Sequence, residues 1–261
     1  MDRILAAAQA IASARRTHAP LSALPVECAP LDEAEGYLVQ RALHDLLLPQ
    51  SGAIVGYKIG CTSAVMQDYL GIPHPCSGGV FERGIYDSGI ALRADDFVRV
   101  GIECEIAMLL ARDLSPSEGP FTAEWVGEAV AAYHPAIEIV DDRYAKWETL
   151  GAPTLIADDF FAAACVLGKA TARSAAPDIL KVAGRAFLNG AEVGRGTGAD
   201  VLGHPHNALA WLANHLSIEG RGLHKGQIVL TGSLVKTVWL HAGDHAAIEL
   251  DGLGRVEASF A

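Results

Sequence analysis

Three glutamates lie among aliphatic residues in two segments that are typical of β-strands. Glu103 and Glu105 lie in the segment 101–110, and Glu138 lies in 135–140. Because side chains alternate along a strand, Glu103 and Glu105 face one side and their apolar neighbours face the other. Neighbours on the same face of a strand, such as these two glutamates, lie about 6–7 Å apart. A carboxylate among aliphatic residues is costly to bury unless it is paired or bound to a metal. Three carboxylates suit a hard, oxygen-preferring ion, so the sequence predicts a Mg²⁺ or Mn²⁺ centre.

The composition limits the classes of function. Of the 261 residues, 51% are hydrophobic and 20% are charged, which is enough to bury a substantial core. The formal net charge of −11 argues against nucleic acid and against an anionic membrane as partners. An anionic substrate must therefore be attracted locally, by a metal ion or by basic side chains.

The five cysteines show no CxxC spacing, and an odd number does not form a closed disulfide framework. The sequence shows no signal peptide and no apolar run of membrane-spanning length, so a reducing cytoplasm is the expected location.

Hydrophobic periodicity predicts an α+β fold in which a helical N-terminal region leads into a mostly β core. The predicted helices cover residues 2–16, 31–48, 62–69, 123–132 and 207–218. The predicted strands cover residues 53–60, 85–90, 98–110, 136–140, 163–167, 181–188, 227–231, 235–240, 246–250 and 256–260. A boundary near residue 75 separates an N-terminal region, 1–75, from a catalytic core, 76–261, within one integrated unit.

Several motifs occur together in one order along the chain. They are Gly56-Tyr57-Lys58-Ile59-Gly60, Leu70-Gly71, Glu103-Cys104-Glu105-Ile106-Ala107, Pro135-Ala136-Ile137-Glu138-Ile139-Val140 with Arg143 and Trp147, Ala157-Asp158, Leu202-Gly203-His204-Pro205 with Asn207, Ala210-Trp211-Leu212-Ala213, Leu230-Thr231-Gly232 and Ala242-Gly243-Asp244. With these motifs the chain resembles the 2-keto-4-pentenoate hydratase branch of the fumarylacetoacetate hydrolase superfamily, from about residue 56 to residue 260.

The resemblance implies a mixed β-roll core, like the C-terminal part of fumarylacetoacetase, and a homo-oligomer. It places Mg²⁺ or Mn²⁺ on Glu103, Glu105 and Glu138, and it implies a small anionic 2-keto acid or its enol as substrate. Lys58 would be catalytic, stabilising an enolate or moving protons, and its pKa should be lowered beside a metal ion. Hydratases of this branch add water to 2-hydroxypenta-2,4-dienoate, a product of aromatic ring cleavage.

The chain departs from the branch at several positions. Arg83 occupies the place of an aspartate that is thought to assist the lysine, and it could bind a second carboxylate. Thr154 replaces another acid and Phe161 replaces a serine of the pocket. Asp158 is assigned to substrate binding, with a turn cap as the alternative. The turn at Thr231 and Gly232 is assigned to substrate contact, with turn chemistry alone as the alternative.

Three functions stay open. The first is a metal-dependent lyase, either a hydratase or a decarboxylase of the 4-oxalocrotonate type. The second is an acylpyruvate-type C–C hydrolase, which needs a base such as a His–Glu pair, and the third is a non-catalytic binding relative. His204 and His206 are predicted to lie at the entry to a helix and not to bind a metal. The proline between them fixes the backbone, which gives the two side chains poor geometry for sharing one ion. The glycine-rich segment 194–198 lacks the lysine of a phosphate-binding loop and is excluded as one.

Overall fold

The computed structural model describes residues 2–261. Met1, part of the predicted N-terminal region, lies outside the described residues. The helices are α1 (Arg3–Thr17), α2 (Glu33–Ser51), α3 (Ala64–Leu70), α4 (Ala123–Glu128), α5 (Ala152–Ala157) and α6 (Pro205–Ile218). Within residues 2–261, none of these helices has both the length and the apolar character that crossing a membrane requires.

Fourteen strands form two sheets. They are β1 (Ile54–Gly60), β2 (Cys76–Phe81), β3 (Ile85–Asp87), β4 (Ile90–Leu92), β5 (Val100–Leu110), β6 (Val130–Asp141), β7 (Ala162–Leu167), β8 (Thr171–Ala172), β9 (Ala183–Leu188), β10 (Ala191–Thr197), β11 (Ile228–Ser233), β12 (Val238–Trp239), β13 (His245–Leu250) and β14 (Gly254–Phe260). The larger sheet has the order β2-β1-β11-β5-β6-β7-β3, with β12 paired to β5 and β8 paired to β6. The smaller sheet has the order β10-β9-β13-β14-β4.

The N-terminal helices begin at capped residues and pack against each other. Asp2 accepts a hydrogen bond from the Ile4 amide, and Asp32 accepts one from the Glu35 amide, so each helix starts at an aspartate cap. Buried apolar side chains of the two helices, Ile11 among them, form a separate small core. This core lies beside the larger sheet, whose strand β1 pairs with both β2 and β11. The sheet therefore crosses the boundary predicted near residue 75.

The main core lies between the two sheets. Ile102, Cys104 and Ile106 of β5 are buried in it, together with apolar residues of β13 and β14. Because the odd-numbered residues of β5 face the opposite side, Glu103 and Glu105 project away from this core. The predicted α+β fold class is confirmed.

Several elements differ from the prediction, and the strand predicted over 85–90 divides into β3 and β4. The helix predicted over 123–132 ends at Glu128, and β6 begins at Val130. The alanines of this segment favour a helix, but pairing of β6 with β5 from residue 130 to residue 141 outweighs that local preference. Strands β2, β8 and β10 and helix α5 were not predicted, and β10 overlaps the glycine-rich segment 194–198.

Candidate metal centre

The three glutamates converge on one side of the larger sheet. Glu103 of β5 lies directly opposite Glu138 of β6 in the antiparallel register, and Glu105 follows on the same face of β5. One carboxylate oxygen from each residue lies within 4.8 Å of the other two. Glu105 is 0% exposed and Glu138 is 1% exposed, so two of the three charges have no access to bulk water. Strand alternation and cross-strand pairing thus produce the predicted triad.

The hydrogen bonds leave a set of carboxylate oxygens available. The Gly232 amide donates to Glu105 Oε2 over 2.9 Å, and the Thr237 hydroxyl donates to Glu103 Oε1 over 2.5 Å. Within residues 2–261, neither Glu105 Oε1 nor either oxygen of Glu138 accepts a hydrogen bond. Leaving such groups unsatisfied in the interior is costly, so their chemistry fits a divalent cation that takes oxygen ligands. Their role as ligands stays a prediction.

The electrostatics of the triad agree with a missing positive charge. Burial raises the pKa of Glu105 well above its usual range, and the carboxylates of Glu138 and Glu103 raise it further. Burial and Glu103 also raise the pKa of Glu138, while Lys58 opposes this shift. Bringing three carboxylates together inside the protein is therefore unfavourable unless a cation balances them.

Lys58 supplies one such cation from β1. It is 2% exposed, and its Nζ lies 3.0 Å from Glu138 Oε1, an ion pair without hydrogen-bond geometry. The same Nζ donates to the carbonyl oxygen of Phe160 over 3.1 Å. Burial alone would lower the pKa of Lys58, but the nearby carboxylates of Glu138 and Glu103 raise it above its usual range. The carboxylates by themselves thus keep the lysine protonated, opposite in direction to the lowered pKa predicted beside a metal ion.

Lys58 and Glu103 line a cavity of about 620 Å³. Its other walls come from β1, α3, β6, β10, the loop before α5, the segment after α5, Asp200 and the segment 233–239. Within the described residues, no histidine lines this cavity.

An unusual backbone segment holds the carbonyl group that Lys58 contacts. Asp159, Phe160 and Phe161 have φ angles of 54°, 51° and 67°, which is the left-handed region that residues other than glycine rarely adopt. Asp159 is fully buried and anchors the segment. Its carboxylate lies 2.6 Å from His44 Nε2 of α2 and 3.1 Å from Arg15 Nη2 of α1. The N-terminal helices therefore stabilise a turn that contributes to the cavity.

Replacement of Asp159 by asparagine is expected to lower the free energy of unfolding by about 3 kcal/mol at pH 7, because a buried charge network loses one partner. Burial alone would raise the pKa of Asp159, but His44 and Arg15 hold it well below its usual range. Asp159 therefore stabilises the fold above its unfolded pKa of about 3.9, and this stabilisation is lost as the pH falls towards the folded pKa.

Urea unfolding at pH 7 and pH 3 measures both effects. The wild type should lose more stability between the two pH values than Asp159→Asn does. The exposed Asp95, with 84% of its side chain accessible, provides a matched control as Asp95→Asn. If the free energy of unfolding changed equally with pH in Asp159→Asn and in the wild type, the lowered pKa of Asp159 would be contradicted.

None of the four predicted substrate-binding residues lines the cavity, and two of them, Asp158 and Arg83, lie away from it. Asp158 is fully buried and pairs with Arg15 at 2.6 Å and with Arg143 at 3.1 Å, so its carboxylate is used inside the fold. Arg83 is exposed, donates to the Gln50 carbonyl over 2.8 Å and lines a different cavity.

The irregular part of β11 at Thr231 and Gly232 supports the triad, and neither residue lines the cavity. Thr231 donates its hydroxyl to the Ile106 carbonyl over 2.8 Å, and the Gly232 amide holds Glu105. Gly232 has a φ of 113°, and a Cβ there would lie 2.3 Å from the Thr62 hydroxyl oxygen, so a glycine is required. In this structure the two residues hold Glu105 and the neighbouring strand, and substrate contact by either one stays a prediction.

The sequence analysis missed two residues that contact the site, Thr237 and Phe160. Thr237 contacts Glu103 because β12 pairs with β5, and the Phe160 carbonyl contacts Lys58 through the left-handed turn. Neither position carries a local signal. His204 caps α6 by accepting a hydrogen bond from the His206 amide, so a helix entry lies here as predicted, but the helix begins at Pro205 and Asn207, expected near the cap, lies inside it.

Comparison with known proteins identifies the family and the fold of the chain. The profile of the fumarylacetoacetate hydrolase C-terminal family matches residues 84–261, which is more than half of the chain. The chain belongs to the fumarylacetoacetate hydrolase family. The predicted resemblance is confirmed, and the fold class expected for the family agrees with the two mixed sheets described above.

Two relatives within the family are similar over most of this chain. One is the 2-keto-4-pentenoate hydratase of Paraburkholderia phymatum, 35% identical over 95% of this chain and 92% of the relative. Another is the 2-hydroxyhexa-2,4-dienoate hydratase of Comamonas testosteroni, 34% identical over 84% of this chain and 83% of the relative. The prediction of a hydratase-type lyase agrees with these members of the fumarylacetoacetate hydrolase family.

A solved structure resembles the whole chain. The 4-oxalocrotonate decarboxylase from Pseudomonas putida G7, complexed with magnesium and adipate, has a TM-score of 0.93 and 25% identity. The similarity covers 100% of this chain and 98% of the decarboxylase. Both the hydratase and the decarboxylase types of the predicted lyase are thus represented among the relatives.

Proposed function

We propose that this protein is a divalent-metal-dependent lyase, a hydratase of the 2-hydroxypenta-2,4-dienoate type in aromatic catabolism. The observation that carries the proposal is the buried triad of Glu103, Glu105 and Glu138 with oxygens that accept no hydrogen bond, beside a buried lysine. The hydratase names of the relatives support the same reaction. Magnesium in the decarboxylase structure supports a divalent ion, with Mg²⁺ or Mn²⁺ as the proposed choice.

A bound divalent ion supplies a Lewis acid that polarises the keto oxygen of a 2-oxo acid and stabilises negative charge there. The residues of this chain supply the ligands for the ion and a group that holds a proton. Glu103, Glu105 and Glu138 provide the oxygen ligands, and the amide of Gly232 fixes the orientation of Glu105. Lys58 holds a proton beside the site, where the Phe160 carbonyl and Glu138 position its Nζ.

Lys58 is a buried group in this cavity, next to the triad, that can exchange a proton with a substrate carbon or oxygen. A dienol must lose its hydroxyl proton and gain a proton on carbon before water adds to the resulting unsaturated ketone. A buried, protonated lysine beside the triad also stabilises an enolate oxygen electrostatically. The net reaction adds one water and gives 4-hydroxy-2-oxopentanoate.

Decarboxylation is the second candidate function, favoured by one specific observation. The decarboxylase structure matches this fold over the whole chain with a TM-score of 0.93. Loss of CO₂ from 4-oxalocrotonate also forms an enolate of a 2-oxo acid, so the same triad and lysine would serve. The hydrolase alternative has less support, because no histidine among residues 2–261 lines the cavity to form a His–Glu base.

The purified protein with Mg²⁺ should consume 2-hydroxypenta-2,4-dienoate, seen as loss of the dienol absorbance, without release of CO₂. The same assay with 4-oxalocrotonate measures both absorbance and CO₂ and separates the two lyase reactions. Rapid CO₂ release from 4-oxalocrotonate with no hydration of the pentadienoate would make decarboxylation the function. Absence of both reactions in the presence of Mg²⁺ and of Mn²⁺ would contradict the lyase assignment.

The proposal includes a homo-oligomer in a reducing cytoplasm. Exposed apolar side chains such as Val26, at 89%, and Ile218, at 87%, support contact with a further copy of the chain. The five cysteines are free and buried, which supports a compartment that keeps thiols reduced.

A further inference from the structure

The cavity beside Lys58 and Glu103 is larger than a five-carbon acid requires. Its volume is about 620 Å³. With about 30 Å³ for each water-sized group, this volume holds on the order of twenty such groups. A hydroxypentadienoate has about eight non-hydrogen atoms, so at about 30 Å³ for each atom it fills less than half of this volume. More than half of the cavity is therefore available to a part of the substrate beyond the reacting carbons.

An aromatic wall lines this additional space. Phe160 and Phe161 lie with ring centroids 6.2 Å apart, and Trp147 lies 5.8 Å from Phe161, both pairs in edge-to-face geometry. All three rings line the cavity, as do Val65 and Met66 of α3. Tyr69 packs against Trp147, with the two ring centroids 5.6 Å apart. The wall suits an apolar group, because the rings offer surface area and no hydrogen-bond partner apart from the Trp147 indole N–H.

Cationic groups that could bind a second carboxylate are few in this cavity. Arg195 lines it but is paired with Glu192 at 2.7 Å. Lys236 lines it, is exposed, and has no acidic partner within 4.0 Å among residues 2–261. An exposed lysine contributes little to binding a carboxylate, because water and salt screen the charge. Arg83, the residue predicted to bind a second carboxylate, lies at another cavity.

We propose that the substrate carries a bulky apolar substituent, such as an aryl group, on the carbon most distant from its carboxylate, and that Phe161 and Trp147 determine this specificity. This inference rests on the proposed function, in which the 2-oxo acid end of the substrate lies at the glutamate triad. The substituent then extends from Lys58 along the aromatic wall towards α3.

Binding of saturated 2-oxo acids tests the inference without turnover, since these compounds contain no alkene to hydrate. Isothermal titration of the Mg²⁺-loaded protein would measure the Kd of 2-oxopentanoate, 5-phenyl-2-oxopentanoate and 2-oxohexanedioate. The phenyl compound should bind about tenfold more tightly than 2-oxopentanoate, or better, because it buries an aromatic ring. The dicarboxylate should bind no more tightly than 2-oxopentanoate.

The outcomes separate the inference from the function on which it rests. Equal Kd values for all three acids, or tightest binding of the dicarboxylate, would overturn the apolar substituent and leave the 2-oxo acid site in place. Failure of all three acids to bind in the presence of Mg²⁺ would overturn both.

Two variants locate the preference on the aromatic wall. Phe161→Ser and Trp147→Ala should each reduce the Kd ratio of 2-oxopentanoate to the phenyl compound by about fivefold or more, because each removes one aromatic face. Trp147→Ala keeps the test decisive if Phe161→Ser, at a left-handed position, does not fold. Lys236→Gln should leave the same ratio within about twofold, since an exposed lysine contributes little. A ratio that both aromatic variants leave unchanged would overturn the assignment of the wall.

Discussion

Replacement of Glu105 by glutamine is expected to abolish the metal-induced rise in melting temperature and to lower kcat by about a thousandfold or more. For the wild type, Mn²⁺ at about a thousand times its Kd should raise the melting temperature by about 10 °C. Glutamine keeps the size of the side chain and still accepts the hydrogen bond from the Gly232 amide, whose length to Glu105 Oε2 is 2.9 Å. The variant therefore removes mainly the charge.

In a chelator, the same variant should melt at a higher temperature than the wild type. Glu105 is fully buried, and burial beside Glu138 and Glu103 makes its ionised form unfavourable. The order of stability should thus reverse when metal is added, which scanning calorimetry with and without Mn²⁺ measures directly. Glu249→Gln is a matched control on strand β13, where the carboxylate is partly exposed and pairs with Arg255 at 2.6 Å. A full metal-induced shift in Glu105→Gln would refute the metal centre.

Replacement of Lys58 by methionine is expected to lower kcat by about 10²–10⁴-fold while metal binding is kept. Without metal, the variant should be less stable by about 3 kcal/mol, because Lys58 lies 3.0 Å from the buried Glu138 carboxylate and balances its charge. The metal-induced rise in melting temperature should be at least as large as in the wild type, since a competing cation is gone.

Lys58→Met and Glu105→Gln thus have opposite thermal signatures, although both should be nearly inactive. The exposed Lys181, with 77% of its side chain accessible, provides a control as Lys181→Met, which should leave the melting temperature and kcat unchanged. A Lys58→Met variant with normal kcat would exclude a catalytic lysine. A variant with no metal response would show that Lys58 also orients the ligands.

The position of the triad could be predicted from the sequence because it depends on short-range geometry. The alternation within β5 places Glu103 and Glu105 on one face, and the antiparallel neighbour β6 brings Glu138 directly opposite Glu103. These relations follow from the period of two along a strand and from pairing of consecutive long strands.

Residues whose roles depend on long-range packing were harder to predict. Asp158 looks like a site residue in the sequence, yet its partner Arg15 lies 143 residues earlier in the chain, on α1. The adjacent Asp159 has similar chemistry and anchors the turn that carries the Phe160 carbonyl. No local pattern distinguishes two successive aspartates that both pair with Arg15 of α1 and differ in their second partners, Arg143 for Asp158 and His44 for Asp159.

The exposed position of Arg83 has a similar cause. The residue follows β2 in a short helical turn, and its guanidinium donates to the Gln50 carbonyl at the end of α2. The position of Arg83 in the sequence shows that the residue lies near an edge strand. It does not show on which side of the sheet the side chain lies. Since one residue of register exchanges the two faces of a strand, an assignment based on an aligned position is least secure just beyond a strand end.

The order of strands in the larger sheet has a consequence for protein synthesis. Strand β1, which carries Lys58, reaches β5 only through β11, with Lys58 beside Leu230 in the parallel register. A ribosome adds about 5–20 residues per second, so roughly ten seconds or more separate the emergence of this lysine from that of its neighbouring strand. Until residues 228–233 have left the exit tunnel, the nascent chain has carboxylates without their lysine. Lys58 can therefore take its place beside the carboxylates only after β11 has been synthesised.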